Sequence, residues 1–214
     1  MATDPLQNAQ KRAFQYWYVD GTFEFSFGGL SLLLAAYFYV QNLLAETWFG
    51  GLLTVFFILI LLGGSWLARS LVMNMKERLT FPRTGYIAFR REKSSKRLTR
   101  GLLIGLTAAI VSSIMTILLL NRPLSFDWTT AATGLMFGVV IAYLGLRTGL
   151  ARFFISATVS LALGIALGFA NLPDHLGLTG FYACFGLFLL ALGGLSLWQY
   201  LRRNPAPTEN RDDQ

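Results

Sequence analysis

The chain has 214 residues, of which 54% are hydrophobic and only 14% charged, with a net charge of +7. A soluble domain carries about 25% charged residues, so this composition excludes an ordinary water-facing surface and requires much of the outside to face lipid. One cysteine, Cys184, and one histidine, His175, exclude a disulfide within a single chain and any multi-cysteine or multi-histidine metal site.

Residues 1–22 are polar, aromatic and mixed in charge, without the apolar core and small-residue cleavage site of a secretory signal peptide. Insertion is therefore expected through the first membrane helix. Residues 5–18 are expected to lie at the interface as a helix, with Phe14, Trp17 and Tyr18 at headgroup level beside Lys11 and Arg12.

A membrane helix needs about 20 mostly apolar residues, because each rises about 1.5 Å and the hydrocarbon core is about 30 Å thick. Six stretches qualify: residues 23–43, 47–68, 101–120, 130–146, 151–170 and 178–200. All six prolines fall outside them, as expected of residues that break the helical ladder. The expected architecture is all-α: an integral membrane bundle of six transmembrane helices over residues 23–200, with a basic cytoplasmic loop at 69–100 and a disordered cytoplasmic tail at 201–214.

That loop holds ten Lys or Arg against Glu77 and Glu92, a net charge of +8. Orientation follows from Lys/Arg asymmetry between loops. With the N-terminus inside, 17 basic residues lie on the cytoplasmic side and only Arg122 outside, which places both termini in the cytoplasm. The outer loops are short and leave no room for an external domain.

Leu67, Leu71, Met75 and Leu79 recur every four residues, so the second helix is expected to continue past the membrane until Pro82. Phe81, before the proline, is biased to an extended conformation. Pro82-Arg83-Thr84-Gly85 reads as a turn, across which residues 79–81 and 86–90 are expected to pair as a small hairpin. Residues 93–100 read as a flexible basic linker. Lys76, Arg78, Arg90, Arg91, Lys93, Lys96, Arg97 and Arg100 are the expected contacts to anionic lipid headgroups.

The sharpest constellation is Trp17-Tyr18-Val19-Asp20-Gly21-Thr22-Phe23-Glu24. Four residues separate the two carboxylates, so a continuous helix would place both on one face. Glu24 stands at the inner edge of the first span, where a carboxylate is costly unless paired, hydrated or protonated. The structural reading is an ion pair that docks the loop onto the bundle, with Arg83, or failing it Arg69 or Arg147, as the partner of Asp20 or Glu24. The functional reading is a proton- or cation-linked carboxylate in a polar cavity.

The YWYVDG-x-x-E run at 16–24 and LTFPRTGY at 79–86 resemble a family of small uncharacterised bacterial multi-pass membrane proteins. The resemblance covers these two motifs and the helical hydropathy. It implies a bacterial inner membrane and no particular chemistry.

Gly101/Gly105, Gly134/Gly138, Gly145/Gly149 and Gly164/Gly168 have the four-residue spacing that lets helices approach closely in lipid, either within one chain or in a homodimer. Trp48, Trp66, Trp128 and Trp198 lie near span ends, as interfacial anchors do. Cys184 reads as a small core residue, and His175 as a solvated residue of an outer loop. Ser112 and Ser113 have no neighbouring base for nucleophilic catalysis. Neither a P-loop nor a dinucleotide-binding glycine motif occurs. No cofactor, metal or nucleic acid is expected. The residues point to a non-enzymatic scaffold or regulatory component that engages a partner membrane protein or anionic lipid through its basic loop. The alternative is a small transporter or channel for a small solute or ion.

Overall fold

The computed structural model describes residues 15–84, 128–170 and 172–205, and all the regular structure in them is helical. The helices are α1 (Thr22–Leu43), α2 (Trp48–Met75), α3 (Phe81–Thr84), α4 (Trp128–Thr148), α5 (Ala151–Phe169) and α6 (Asp174–Arg203). Four of them, α1, α4, α5 and the part of α6 from Leu176 onward, are long and apolar enough to cross a membrane. The third expected span, residues 101–120, and the basic residues Arg90, Arg91, Lys93, Lys96, Arg97 and Arg100 lie outside the described residues.

Two antiparallel pairs organise the bundle. In the first, α1 packs along α6 with almost no side chain between the backbones. A Cβ on Gly28 would come within 2.8 Å of the Gly186 carbonyl oxygen, and one on Gly193 within 2.4 Å of the Phe25 nitrogen. In the second, α4 packs along α5, where a Cβ on Gly134 would meet Gly164 Cα at 2.6 Å. Ser160 Oγ donates to the Gly134 carbonyl at 2.9 Å across this contact. Lipid tails are as apolar as leucine, so close van der Waals contact of this kind is what holds membrane helices together. The small residues at 134, 138 and 164 thus pack inside one chain. Gly149, with φ +71, instead forms the turn between α4 and α5.

Between the pairs lies an aromatic core of Phe153, Phe181, Phe185 and Phe137, into which Phe23 and Phe27 of α1 reach. Nearer the other end Tyr182 stacks on Phe38 at 5.4 Å within the first pair and meets Phe137 of α4 edge-on at 5.8 Å, which joins the two pairs. α2 lies outside this core against α1, tied by Tyr37 Oη to the Leu53 carbonyl and by Gln41 to Thr54.

Four local expectations need correction. The expected hairpin of residues 79–81 with 86–90 loses its first arm, because residues 79–84 are helical, and its second arm lies outside the described residues. α2 runs on through a π-helical turn, Lys76–Thr80, into α3. Phe81 is αR, at φ −63, rather than extended, because its N–H closes the π turn onto the Lys76 carbonyl. Pro82 follows directly on the π turn, where the regular i to i−4 ladder is already interrupted. Finally, Cys184 is exposed on α6 rather than in the core, and His175 falls in the first turn of α6 rather than in a loop.

Candidate functional site

The polar chemistry gathers at one end of the bundle. The helical turn at residues 15–18 is stopped by Gly21, whose φ of +75 suits only glycine and whose missing Cβ would strike Ser196 Cβ at 2.6 Å. The chain then turns into α1, and Asp20 Oδ1 accepts from the Thr22 N–H at 3.2 Å and the Thr22 hydroxyl at 2.8 Å. This Asx-type turn fixes the carboxylate. The π turn delivers Lys76 and Thr80, four residues apart, to its other oxygen. Lys76 Nζ lies 2.5 Å from Asp20 Oδ2, and the Thr80 hydroxyl donates to that oxygen at 3.3 Å. Lys76 also donates to the Trp17 carbonyl at 2.7 Å and sits 4.5 Å from the centre of the Trp17 ring. Asp20 and Lys76 are both buried, at 1% and 2% exposure. Each charge has its counter-charge and further hydrogen bonds, which burial of an ion pair demands.

The second pair is less complete. Glu24 in the first turn of α1 faces Arg152 in the first turn of α5, with Nε 2.6 Å from Oε1. The contact is Coulombic. Neither carboxylate oxygen of Glu24, nor Arg152 Nε or Nη2, makes a hydrogen bond of acceptable geometry. Arg152 Nη1 does donate to the Val19 carbonyl at 3.1 Å. Beside the pair, burial and then the Glu24 charge hold the Tyr18 phenol above its ordinary range.

None of the three expected partners, Arg83, Arg69 and Arg147, pairs with these carboxylates. Arg83 instead donates to the Leu201 carbonyl at 3.2 Å and the Asn204 carbonyl at 3.0 Å, capping the C-terminal end of α6. Arg147 bonds the Tyr143 hydroxyl at 3.1 Å on the surface of α4, and Arg69 is exposed on α2. Lys76, expected at the lipid surface, is the buried partner of Asp20, while Arg78 is exposed. The two decisive cations were thus Lys76 and Arg152. A signal for Arg152 exists in the sequence: it and Glu24 both sit within the first turn of an apolar helix, and so at matching depth.

No family profile, curated protein or solved structure matches the chain. Among the described residues no group of three or more His, Cys, Asp or Glu is arranged to hold a metal ion. The two motifs of the sequence, YWYVDG-x-x-E and LTFPRTGY, nonetheless meet here through Asp20 and Thr80. What the arrangement does chemically is lock three elements together: the N-terminal turn, the end of α2 and the start of α5.

Proposed function

We propose that the protein is a six-helix protein of a bacterial inner membrane, both termini cytoplasmic, that works without catalysis. It acts as a scaffold or regulatory component whose basic loop engages anionic headgroups or a partner membrane protein. One observation carries the reading: the charge near the spans is confined to their ends. From Phe25 to Ala68, from Trp128 to Leu146, from Phe153 to Pro173 and from Leu176 to Leu201, the only charged side chain is Glu46, between α1 and α2. The buried charges at the motif end are neutralised in pairs, which suits a locked structural junction better than a moving carrier.

The path of the chain supports the helix count. Thr84 and Asn204 lie at the Asp20 end, joined through Arg83. α4 runs antiparallel to α5, Gly134 meeting Gly164 and Gly145 meeting Phe153. Trp128 therefore begins at the end opposite Thr84. Residues 101–120 are long and apolar enough by sequence for one crossing, and α2, at 28 residues, is long enough for another. The 17-to-1 basic split puts the Asp20 end in the cytoplasm.

Each basic residue near an anionic surface contributes about 1 kcal/mol, screened by salt. Lipids co-extracted with the full-length protein in polymer-bounded nanodiscs should be enriched in anionic species relative to the bulk membrane. Replacing Arg90, Arg91, Lys93, Lys96, Arg97 and Arg100 by Gln should abolish the enrichment. The small-transporter reading draws on the Glu24–Arg152 pair, whose hydrogen-bonding capacity is unfilled. Proteoliposomes of the protein should stay tight to imposed proton and potassium gradients. A protein-dependent leak abolished by Glu24→Gln would replace the scaffold reading with transport.

A further inference from the structure

A cleft of about 440 Å³ opens beside the ion-pair cluster, between the N-terminal turn, the start of α5 and the last turns of α6. That volume lies in the range of small-molecule sites, about 300–1,000 Å³. Tyr16, Arg152, Ser196, Gln199, Arg203 and Asn204 line it. The set contains two guanidinium groups, several neutral hydrogen-bonding groups and no carboxylate. Glu24, which faces Arg152, is already engaged with its Nε.

The two arginines are held differently. Arg152 is mostly buried, and its Nη1 donates to the carbonyl of Val19, another residue of the cleft wall. It is therefore a fixed positive group at the cleft. Arg203 is exposed and forms no ion pair among the described residues. The nearby helix end does not neutralise it, because the Leu201 and Asn204 carbonyls are already taken by Arg83. Arg202, its neighbour, turns away and lies 4.0 Å from the centre of the Trp198 ring. A rigid arginine and a free arginine facing a cleft of neutral donors make a site for a tetrahedral oxyanion. Guanidinium forks match phosphoryl oxygens, and charge-assisted bonds are the strong ones.

We propose that this cleft binds a phosphoryl group, carried either by an anionic phospholipid headgroup or by a small soluble phosphate. None of the residues that line the cleft belongs to the 69–100 loop, so the proposal goes beyond the reading above and is tested independently of it.

The test is calorimetric titration of the delipidated full-length protein with two probes: inorganic phosphate and a short-chain phosphatidylglycerol. Saturable binding is expected with at least one probe. Arg203→Gln should weaken it about tenfold, the loss of one charge-assisted contact. Arg202→Gln should leave it unchanged, and so should the six-glutamine loop variant. Arg203 is exposed, so its variant should melt as the parent does. Binding of phosphate assigns the site to a free phosphoryl group, and binding of the lipid probe alone assigns it to a headgroup. Either outcome supports the proposal. Failure of both probes overturns it. Equal weakening by Arg202→Gln and Arg203→Gln also overturns it, as does binding that disappears in the loop variant.

Discussion

At the scale of single residues, the contrast between the two buried pairs matters most. Asp20 accepts from Thr22, Lys76 and Thr80, so its carboxylate is fully satisfied. Removing one side of such a pair leaves the other charge buried alone, which costs about 3–5 kcal/mol. Asp20→Asn and Lys76→Met should each lower thermal stability in detergent by about that amount. The double variant should lose much less than the sum, because neither charge is then stranded. Strict additivity would reject a buried pair. Arg83→Gln with Glu24→Gln is the comparison cycle and should be additive, since Arg83 bonds α6 carbonyls instead. The carboxylates themselves were legible in the sequence, because acids at the edge of an apolar span need partners. Their partners were not. Arg83 was favoured for its fork and its turn, but partner choice depends on where the π turn aims Lys76, and helix periodicity does not encode an extra residue per turn.

At the scale of elements, four of the expected spans were readable and their junctions were not. The expected 23–43 and 151–170 coincide within a residue with α1 and α5, since length and apolarity alone decide a crossing. The junction after α2 went astray because a π turn interrupts the regular ladder just before Pro82, and the helix runs on to Thr84 instead of stopping at the proline. Glycine spacing announced close helix contacts without saying which helices meet. Geometry now separates glycines that a methyl group would disrupt from those it would not. Gly193→Ala and Gly134→Ala place a Cβ at 2.4 Å and 2.6 Å from facing backbone. Each should destabilise the protein by about 1–3 kcal/mol through overpacking. Gly194→Ala has nothing within 4 Å and should be neutral or stabilising by up to about 1 kcal/mol, from the better helix propensity of alanine. Melting temperatures of the three variants decide this. If Gly194→Ala loses as much as Gly193→Ala, the α1–α6 crossing is wrong.

For the whole molecule, the question is which end faces which compartment. α6 extends from Asp174 to Arg203, so at about 1.5 Å per residue its ends stand roughly 45 Å apart, more than the hydrocarbon thickness. Pro173 and Asn204 flank it, and they must lie on opposite sides of any membrane it crosses. Asn204 shares its end with Asp20, Lys76 and Arg83, so the basic loop leaves α3 on the Asn204 side. Positive residues are retained in the cytoplasm, which predicts that Ser95 and Asn204 are both inside and Pro173 outside. Single cysteines at Ser95, Pro173 and Asn204 test this, in a Cys184→Ser background because Cys184 is exposed on α6. A membrane-impermeant maleimide should label position 173 in intact cells, and positions 95 and 204 only in inverted vesicles. Labelling of 95 and 173 from the same side would break the six-helix topology, since the loop and the start of α6 would then share a compartment. Labelling of 204 in intact cells would leave the bundle intact but invert it. The basic end would then face away from the cytoplasmic leaflet, and the headgroup role of the loop would go with it.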